Sequence, residues 1–468
     1  MVAVKRLGHP LDSTSTVIDT MHHMLNTVGR AGWTPEHERE AARIHRDEGD
    51  QWLLSVPPPK DLGSFGHGQF AVDYEARIDH HAVRARRIER TCEALAEAGL
   101  DALLVWKYEN VRFLSGLRAQ IISDKSALLN GCLLTAGGDI VLFLSGGEVD
   151  RARRIMTWID EIHAIPIMEA RGLIFGAFEH TIAPAFEAHG LSEARLGVDE
   201  LAFAQLQAFE HALPSVDLKD GDAVMQSVRL VKTDADIAMM QEAGAIAEAV
   251  TEAAIEAVRP GVREVDVVAD AMHALYRLGG EVPHVATPFV ASGEHMSPPN
   301  RFATDKIIRN GDLVFIDIGA AFNGYYADLG RTVICGDPSP RQQEIYTAVY
   351  HGLRAGTRAM KVGNTNDEVA DAVIEEGARR GFEQNFLSLF IGHGVGMGSN
   401  EPPYVGESLP GADTVELERN MTLALEPLIW VSGVTGGGGV RLEDTIAVGE
   451  SGGIPLTRTR FDERLLLD

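Results

Sequence analysis

The sequence predicts an α/β protein, of the α+β type, in which a smaller domain precedes a larger one. From about residue 75 onward, helix-like and strand-like segments alternate, which is typical of a mixed fold. The chain has 468 residues, which is longer than a domain with a single hydrophobic core usually is, so two domains are expected. Hydrophobic residues make up 45% and charged residues 24%, the composition of a folded globular protein.

Composition excludes several partners. The 42 Lys and Arg against 68 Asp and Glu give a net charge of −26, which repels phosphate backbones, so we expect no nucleic-acid partner. No apolar run reaches the ~18 residues that span a bilayer, and the first residues lack the apolar stretch of a signal peptide. Three widely spaced cysteines predict neither a disulfide framework nor a cysteine zinc site. We therefore expect a cytoplasmic protein without a membrane partner.

The chain divides into an arm and two domains. Residues 1–75 are polar and rich in turn formers, so we expect an N-terminal arm with one or two short helices around 34–50. Helix and strand signals over 76–228 predict a small α/β domain. A long Ala- and Glu-rich helix opens at Thr233, and we expect the second domain at 229–468.

Local patterns predict the elements of the first domain. Apolar side chains at helical spacing indicate an amphipathic helix, which Gly99 ends. The dipeptide Gly137-Gly138, followed by Asp139, indicates a hairpin turn between two strands. The predicted elements are a helix at 77–98, a buried strand at 102–106, and hairpin strands at 131–136 and 140–145.

The second domain opens with a capped helix. Thr233 and Asp236 form the pattern of a capping box, and the helix should end near Arg259-Pro260. The elements predicted after it are helices at 264–278, 341–358 and 366–380, a strand at 313–320, and glycine-rich strands up to about 450.

A hairpin at 316–332 brings two acids together. Strand-like segments flank Asn323-Gly324, a strong turn dipeptide. Asp317 and Asp328 are nearly equidistant from this turn, so strand pairing makes them neighbours on one face. Two like charges opposite each other destabilise a sheet unless a cation lies between them. The pattern therefore predicts a cation site.

A second hairpin repeats this arrangement. Glu426 and Glu443 flank a glycine-rich loop at 431–439, and their midpoint falls inside it. Between the two hairpins lies His393, whose glycine neighbours leave the imidazole unobstructed. One neutral imidazole nitrogen with four carboxylates is a suitable ligand set for two divalent ions, held roughly 3–4 Å apart by bridging carboxylates.

The order and spacing of these motifs resemble those of the pita-bread metallopeptidase superfamily. This superfamily includes methionine aminopeptidase, prolidase, aminopeptidase P and the metal-free creatinase. The resemblance covers roughly 78–460 and implies a pita-bread catalytic domain preceded by a creatinase-type α/β N-terminal domain. Residues 98–117 resemble the start of that N-terminal domain, which methionine aminopeptidases lack. The matching motifs are NGDLVFIDIGAAFNGYYADLGRTV (310–333), GHGVG (392–396), LALEP (423–427) and GVRLEDT (439–445).

This resemblance implies the roles of five residues. Asp317 would bind one ion, His393 and Glu426 the other, and Asp328 and Glu443 both. The ions would make hydroxide available to attack an amide carbonyl, and Glu426 would transfer the proton. His393 belongs to the same catalytic centre. Manganese, iron, cobalt and zinc all suit such ligands. The resemblance also implies a homodimer in which one subunit completes the pocket of the other.

Two positions depart from the superfamily pattern. Its peptidases carry a histidine eleven residues before the glycine that is Gly311 here, and another seven residues after the ligand His393. Counting gives Asn300 and Asn400, which can hydrogen bond but carry no charge. If the first loop contains an insertion, His295 serves instead of Asn300. The candidate substrate-binding residues are Asn300, Asn400 and Arg441.

Three functions are compatible with these observations. The first is an Xaa-Pro dipeptidase or aminopeptidase P, with a short peptide as substrate. The second is a relative acting on a small metabolite, as creatinase, ectoine hydrolase or the dimethylsulfoniopropionate lyase of this superfamily do, and the two asparagines favour it. The third is a binding module without catalysis, which the presence of all five ligands disfavours.

Overall fold

The structure is a computed structural model that describes residues 78–119, 130–168, 170–296, 302–386, 390–406 and 413–467. The arm predicted at 1–75, with its helices around 34–50, lies outside these residues. The described residues belong to one compact unit that begins at Ile78. The predicted boundary between residues 228 and 229 stays a prediction.

The first part of this unit contains a six-stranded sheet with the order β4-β3-β2-β1-β5-β6. The β1/β2 and β2/β3 pairs are antiparallel, and the others are parallel. Its strands are β1 (Ala102–Val105), β2 (Asn130–Thr135), β3 (Ile140–Ser145), β4 (Glu161–Ile165), β5 (Arg195–Val198) and β6 (Asp217–Asp220). Its helices are α1 (His80–Ala98), α2 (Tyr108–Ser115), α3 (Gly146–Ile155), α4 (Arg171–Ala177), α5 (Ala183–Ala188), α6 (Phe203–Ala212) and α7 (Asp222–Leu230), with a π turn at Phe178–Ile182.

Local sequence signals place these elements where they were expected. The side chain of Asp79 accepts a hydrogen bond from the backbone of Ala82 and caps α1, and Gly99 ends this helix in the left-handed conformation. Gly138, at φ +91°, lies in the turn between β2 and β3. The helix, the strand and the hairpin predicted in this part are therefore confirmed.

Among the described residues, the second part follows α7 and combines four helices and short turns with strands β7 to β18. The helices are α8 (Asp234–Ala257), α9 (Glu264–Arg277), α10 (Pro340–Ala359) and α11 (Asn366–Arg379), and 3₁₀ turns lie at Gly293–Met296, Glu383–Asn385 and Glu463–Leu465. The strands are β7 (Phe289–Ser292), β8 (Asp312–Asp317), β9 (Ala320–Phe322), β10 (Tyr325–Ala327), β11 (Gly330–Cys335), β12 (Gly392–Gly394), β13 (Glu401–Val405), β14 (Thr422–Leu425), β15 (Leu428–Trp430), β16 (Gly439–Arg441), β17 (Asp444–Ala447) and β18 (Ile454–Pro455).

The described residues of this second part form four small sheets. Their strand orders are β11-β8-β7, β10-β9, β13-β12-β14-β17-β18 and β15-β16. The predicted capping box is present, because Thr233 and Asp236 exchange side-chain to backbone hydrogen bonds of 2.9 and 3.2 Å. The four helices predicted here are confirmed to within a few residues. None of the described helices is both long and apolar enough to cross a membrane.

One hydrophobic cluster joins the two parts of the unit. It contains Leu103 and Leu142 of the six-stranded sheet together with Met239 and Met240 of α8. Buried apolar contacts of this kind hold elements in fixed relative positions. A second cluster packs α10 and α11 against the strands around β14 and positions the second hairpin.

Strand β12, which carries His393, runs between β13 and β14. A Cβ atom at Gly392 would lie 2.4 Å from the carbonyl oxygen of Ala424, and one at Gly394 would lie 2.2 Å from that of Pro402. Both positions therefore need glycine, as the sequence pattern suggested, because neighbouring backbone occupies the space of a side chain.

We expect Gly394→Ala to lower the melting temperature, because the added methyl group overlaps the backbone of Pro402. Relieving this overlap requires the strands to separate, at a cost of about 1–3 kcal/mol. Gly147→Ala is the matched control, since no described atom lies within 4 Å of the methyl group added there. Circular dichroism melting compares the variants, and an unchanged melting temperature for Gly394→Ala would contradict the close approach.

Candidate metal centre

The first hairpin places Asp317 and Asp328 near each other. Asp317 is the last residue of β8 and pairs with Gly330. Asp328 directly follows β10, on the other side of the hairpin turn. Because Ala320 pairs with Ala327, the two acids are diagonal neighbours, two residues out of register, and they are close together on one face as their spacing predicted. The Asn323-Gly324 turn is present as predicted, with Asn323 at φ +50°.

The second hairpin places Glu426 and Glu443 opposite each other. The acids lie between two ladders, one pairing Leu425 with Asp444 and the other Leu428 with Arg441. Both ladders share one register, and this register sets Glu426 against Glu443, as their spacing predicted. Glu443 reaches the first hairpin through a backbone hydrogen bond to the carbonyl of Gly330, 3.0 Å long. The two hairpins therefore meet at their acids.

The imidazole of His393 faces these acids. Its Nδ1 lies 2.9 Å from the carbonyl oxygen of Gly394, which can only accept a hydrogen bond, so Nδ1 carries the proton. Its Nε2 lies 3.5 Å from Asp328 Oδ2 and 3.4 Å from Glu426 Oε1. In neutral His393, Nε2 therefore presents a lone pair toward two carboxylates.

The five residues predicted from the motifs lie in one buried cluster. All are at most 4% exposed. Their side-chain oxygen and nitrogen atoms form overlapping groups, and within each group the atoms lie within 4.8 Å of one another. The groups are Asp317, Asp328 and Glu443; His393, Glu426 and Glu443; and His284, Asp328 and His393.

Sequence reasoning missed His284. Its Nδ1 lies 3.1 Å from Asp328 Oδ2, and its ring stacks on His393 with 6.0 Å between the centroids. It belongs to a segment between α9 and β7 that has no helical or strand periodicity. The chain brings it to the cluster by hydrogen bonds to the first hairpin, for which the sequence offers no local signal.

The candidate substrate residues have different positions. Asn300 lies outside the described residues, whereas Asn400 is exposed, next to Ser399, whose carbonyl lies 2.9 Å from His284 Nε2. The alternative His295 contacts Glu264, 3.5 Å away, and belongs to none of the ligand groups among the described residues. Arg441 Nη1 lies 2.9 Å from both Asp317 Oδ2 and Glu426 Oε2. The substrate-binding roles stay predictions.

Burial and mutual repulsion hold protons on two of the acids. Burial, reinforced by the negative charge of Asp328, raises the pKa of Asp317 to about 8, although Arg441 opposes this. Burial and the charges of Asp328 and Asp317 raise the pKa of Glu443 well above its ordinary value. In the absence of cations other than Arg441, these carboxyl groups therefore tend to be neutral.

The remaining groups respond to their neighbours. Burial alone would raise the pKa of Asp328, but His284 and His393 outweigh it and lower the pKa to about 2. Burial opposes a charged His393, yet its hydrogen bond to Asp328 and the charge of Glu426 raise its pKa to about 8. The cluster therefore attracts positive charge, in the form of protons when nothing else provides it.

These residues fit divalent metal ions. Among the described residues, neither carboxylate oxygen of Glu443 has a hydrogen-bond partner, although its side chain is fully buried. Leaving such a group unpaired is costly, and a bound cation is a usual reason for it. Carboxylate oxygens with imidazole nitrogen are donors that bind divalent transition metals.

Comparison with known proteins agrees with this centre. Residues 87–231 match the creatinase/prolidase N-terminal domain, and residues 238–450 match metallopeptidase family M24. The Xaa-Pro dipeptidase of Pyrococcus furiosus is 30% identical over 385 residues, which are 81% of this chain and 99% of that protein. The Xaa-Pro dipeptidase of Pyrococcus horikoshii is 28% identical over 376 residues, 80% of this chain and 97% of that protein.

Solved structures agree in fold. An Xaa-Pro dipeptidase from Bacillus anthracis superposes with a TM-score of 0.68 at 26% identity, over 81% of this chain and 99% of that one. The prolidase from Pyrococcus horikoshii OT3 gives a TM-score of 0.67 at 26% identity, over 80% and 99% of the two chains. The pita-bread fold with a creatinase-type N-terminal domain, inferred from the motifs, is thereby confirmed.

We expect the metal-stripped protein to lose stability as the pH rises from about 4 to about 8. Asp317 binds its proton more tightly in the folded chain, with a pKa of about 8 against the ordinary 3.8, so its stabilising contribution is complete below 3.8 and is lost as the pH rises through about 8. Added Mn²⁺ replaces these protons.

Melting temperatures with and without Mn²⁺ at low and high pH test this expectation. The gain from Mn²⁺ should be larger near pH 8 than near pH 5, reaching about 2.7 kcal/mol when the ion is present at 100 times its dissociation constant. A gain that is equal at both pH values would contradict the competition between protons and metal.

Proposed function

The chain belongs to metallopeptidase family M24, and from this we propose that it is an Xaa-Pro dipeptidase that uses two divalent metal ions. As a family member it is a metal-dependent hydrolase. The proposed substrate is a dipeptide or short peptide with proline after the bond that is cleaved. Two relatives that this chain matches over nearly their whole length are named Xaa-Pro dipeptidase, which supports the proposed substrate. The buried, unpartnered carboxylate of Glu443 is the observation that carries the metal-dependent part.

The proposed ligands divide between the two ions as the groups suggest. Asp317 would hold one ion, and His393 with Glu426 the other. Asp328 and Glu443 would serve both, which agrees with their presence in two overlapping groups each. When bound, such ions polarise a carbonyl oxygen and lower the pKa of water.

Glu426 is the proposed proton carrier. It would accept the proton of the attacking water and return it to the amine that leaves, a transfer that an amide leaving group requires. Arg441 Nη1 lies 2.9 Å from Glu426 Oε2 and holds this carboxylate group in place. The same nitrogen contacts Asp317, so Arg441 would orient both acids.

The surroundings of the centre keep bulk water away. The four acids and His393 are nearly inaccessible, and Phe390 stacks on His393 with 5.6 Å between ring centroids. Electrostatic interactions are stronger in such a dry site than in water. Substrate contacts are proposed for Asn300 and Asn400, the positions at which peptidases of the superfamily carry histidine.

Further properties remain proposals. We expect manganese, iron, cobalt or zinc, because carboxylate-rich sites with imidazole bind all four. The protein is proposed to be a cytoplasmic homodimer, in line with the superfamily resemblance and with three isolated cysteines.

We expect the purified protein, supplied with Mn²⁺ or Co²⁺, to release proline from several Xaa-Pro dipeptides. The matching Xaa-Ala dipeptides are the control for specificity. Proline release is measured colorimetrically, and metal content is measured on the same sample. A protein that holds metal but cleaves no Xaa-Pro dipeptide would contradict the proposed substrate and favour a metabolite.

Replacing the proton carrier by Glu426→Gln should lower kcat by about 10²- to 10⁴-fold, the usual contribution of general acid–base catalysis. The side chain keeps its length and one oxygen for the metal. Glu416→Gln, at an exposed position, is the matched control and should leave kcat unchanged. Full activity of Glu426→Gln at full metal occupancy would refute its role in proton transfer.

A further inference from the structure

His284 is oriented toward the centre by a backbone hydrogen bond. Its Nε2 lies 2.9 Å from the carbonyl oxygen of Ser399. A carbonyl oxygen only accepts, so Nε2 carries a proton, and in the neutral ring Nδ1 presents a lone pair. That nitrogen points at Asp328 Oδ2, 3.1 Å away.

Two acceptors therefore face each other at this point. Among the described residues, Nδ1 of His284 has no hydrogen-bond partner, although the side chain is only 4% exposed. A lone pair and a carboxylate oxygen at this distance repel unless a positive charge lies between them. The charge is either a proton on Nδ1 or a metal ion bound to both atoms.

The surroundings match those of a metal ligand. Metal-binding histidines usually donate their second ring N–H to a backbone carbonyl or a carboxylate, which fixes the tautomer and the ring orientation. His284 does so toward Ser399, and His393 does so toward Gly394. The free nitrogen of each ring is directed at the same oxygen, Asp328 Oδ2.

The distances suit a shared ion. Two ligand atoms, each about 2.1 Å from one ion, lie about 3.0 Å apart at a right angle and about 3.4 Å apart at the tetrahedral angle. The nitrogen of His284 is 3.1 Å and that of His393 is 3.5 Å from Asp328 Oδ2. The three atoms lie within 4.8 Å of one another.

The fold holds His284 in this position. Its backbone N–H donates to the carbonyl of Ile318 at 3.0 Å, and the backbone N–H of Glu281 donates to the carbonyl of Ala321 at 2.8 Å, so this segment pairs with the first hairpin. Gly319, at φ +59°, provides the room, since a Cβ atom there would lie 2.6 Å from Cβ of His284. The segment that contains His284 therefore packs beside the end of β8, the strand that carries Asp317.

We propose that His284 is a sixth protein ligand of the centre, binding through Nδ1 the ion that His393 and Asp328 hold. This inference rests on the proposed metal centre. It gives that ion two imidazole ligands, whereas the motifs supply one. Nitrogen donors suit cobalt and zinc better than manganese, so His284 shifts the metal preference of this ion toward the former.

Two substitutions separate ligation from packing. His284→Gln keeps an amide N–H near the position of Nε2, which can still donate to Ser399, but removes the donor atom at Nδ1. His284→Asn instead places an amide oxygen near Nδ1 and loses the bond to Ser399. His295→Gln, outside the centre, is the matched control. Binding of Co²⁺ is titrated calorimetrically, and its visible absorption spectrum reports the ligand set.

Loss of a residue that only supports a metal ligand weakens metal binding roughly 10- to 100-fold. We expect His284→Gln to weaken Co²⁺ binding at one of the two sites by at least this factor and to alter the Co²⁺ absorption spectrum. His284→Asn should lose less, and its selectivity for Co²⁺ over Mn²⁺ should fall below that of the wild type. His295→Gln should match the wild type.

Two results would overturn the inference while the proposed function stands. One is wild-type affinity and spectrum in His284→Gln, or tighter binding, which a cationic His284 paired with Asp328 would cause. The other is weaker binding with an unchanged spectrum, which indicates positioning through Asp328. If the wild-type protein itself binds no Co²⁺, the metal centre proposed above fails, and this inference with it.

Discussion

Four carboxylates enclosed in one buried cluster are the constraint on which the rest of this structure depends. Asp317, Asp328, Glu426 and Glu443 are each at most 4% exposed, and Arg441 contacts two of them. Enclosing so much negative charge without compensation costs several kcal/mol per ion. The protein maintains the cluster because two hairpins and a glycine-flanked strand fix each acid, and because divalent cations supply the missing charge.

Strand pairing fixes the backbone beside the acids of the centre. The second hairpin holds its acids between two ladders of common register. The first holds Asp317 opposite Gly330, where a Cβ atom would lie 2.7 Å from a carboxylate oxygen of Glu443. Glycines thus make the space in which the acids meet, and the positions tolerate little movement, which suits catalysis by preorganised charge.

Sequence reasoning recovered the parts of the centre that local rules control. Strand register fixes which acids face each other, so Glu426 and Glu443 were found by counting residues to the middle of the glycine-rich loop at 431–439. Counting was less accurate for Asp317 and Asp328, which are diagonal, because the hairpin turns one residue later than the midpoint. His284 could not be found this way, since its position depends on hydrogen bonds between distant segments. The N-terminal arm and Asn300 lie outside the described residues.

The motifs that this chain shares with metallopeptidases carry the side chains of the centre, so the resemblance concerns function as well as fold. The fold alone would not establish an activity, but the buried carboxylate and imidazole groups could hold metal ions, and the matching family and relatives are metallopeptidases. We propose that Asn400 influences the choice of substrate and His284 the choice of metal in this chain.

We propose that the carboxylate cluster holds two metal ions. A crystal structure of the protein grown with Mn²⁺, with anomalous diffraction measured at the manganese edge, tests it most directly. We expect two anomalous peaks roughly 3–4 Å apart among the four carboxylates. A map with no peak there, and with Asp317 and Glu443 hydrogen bonded as neutral carboxyl groups, would contradict the account.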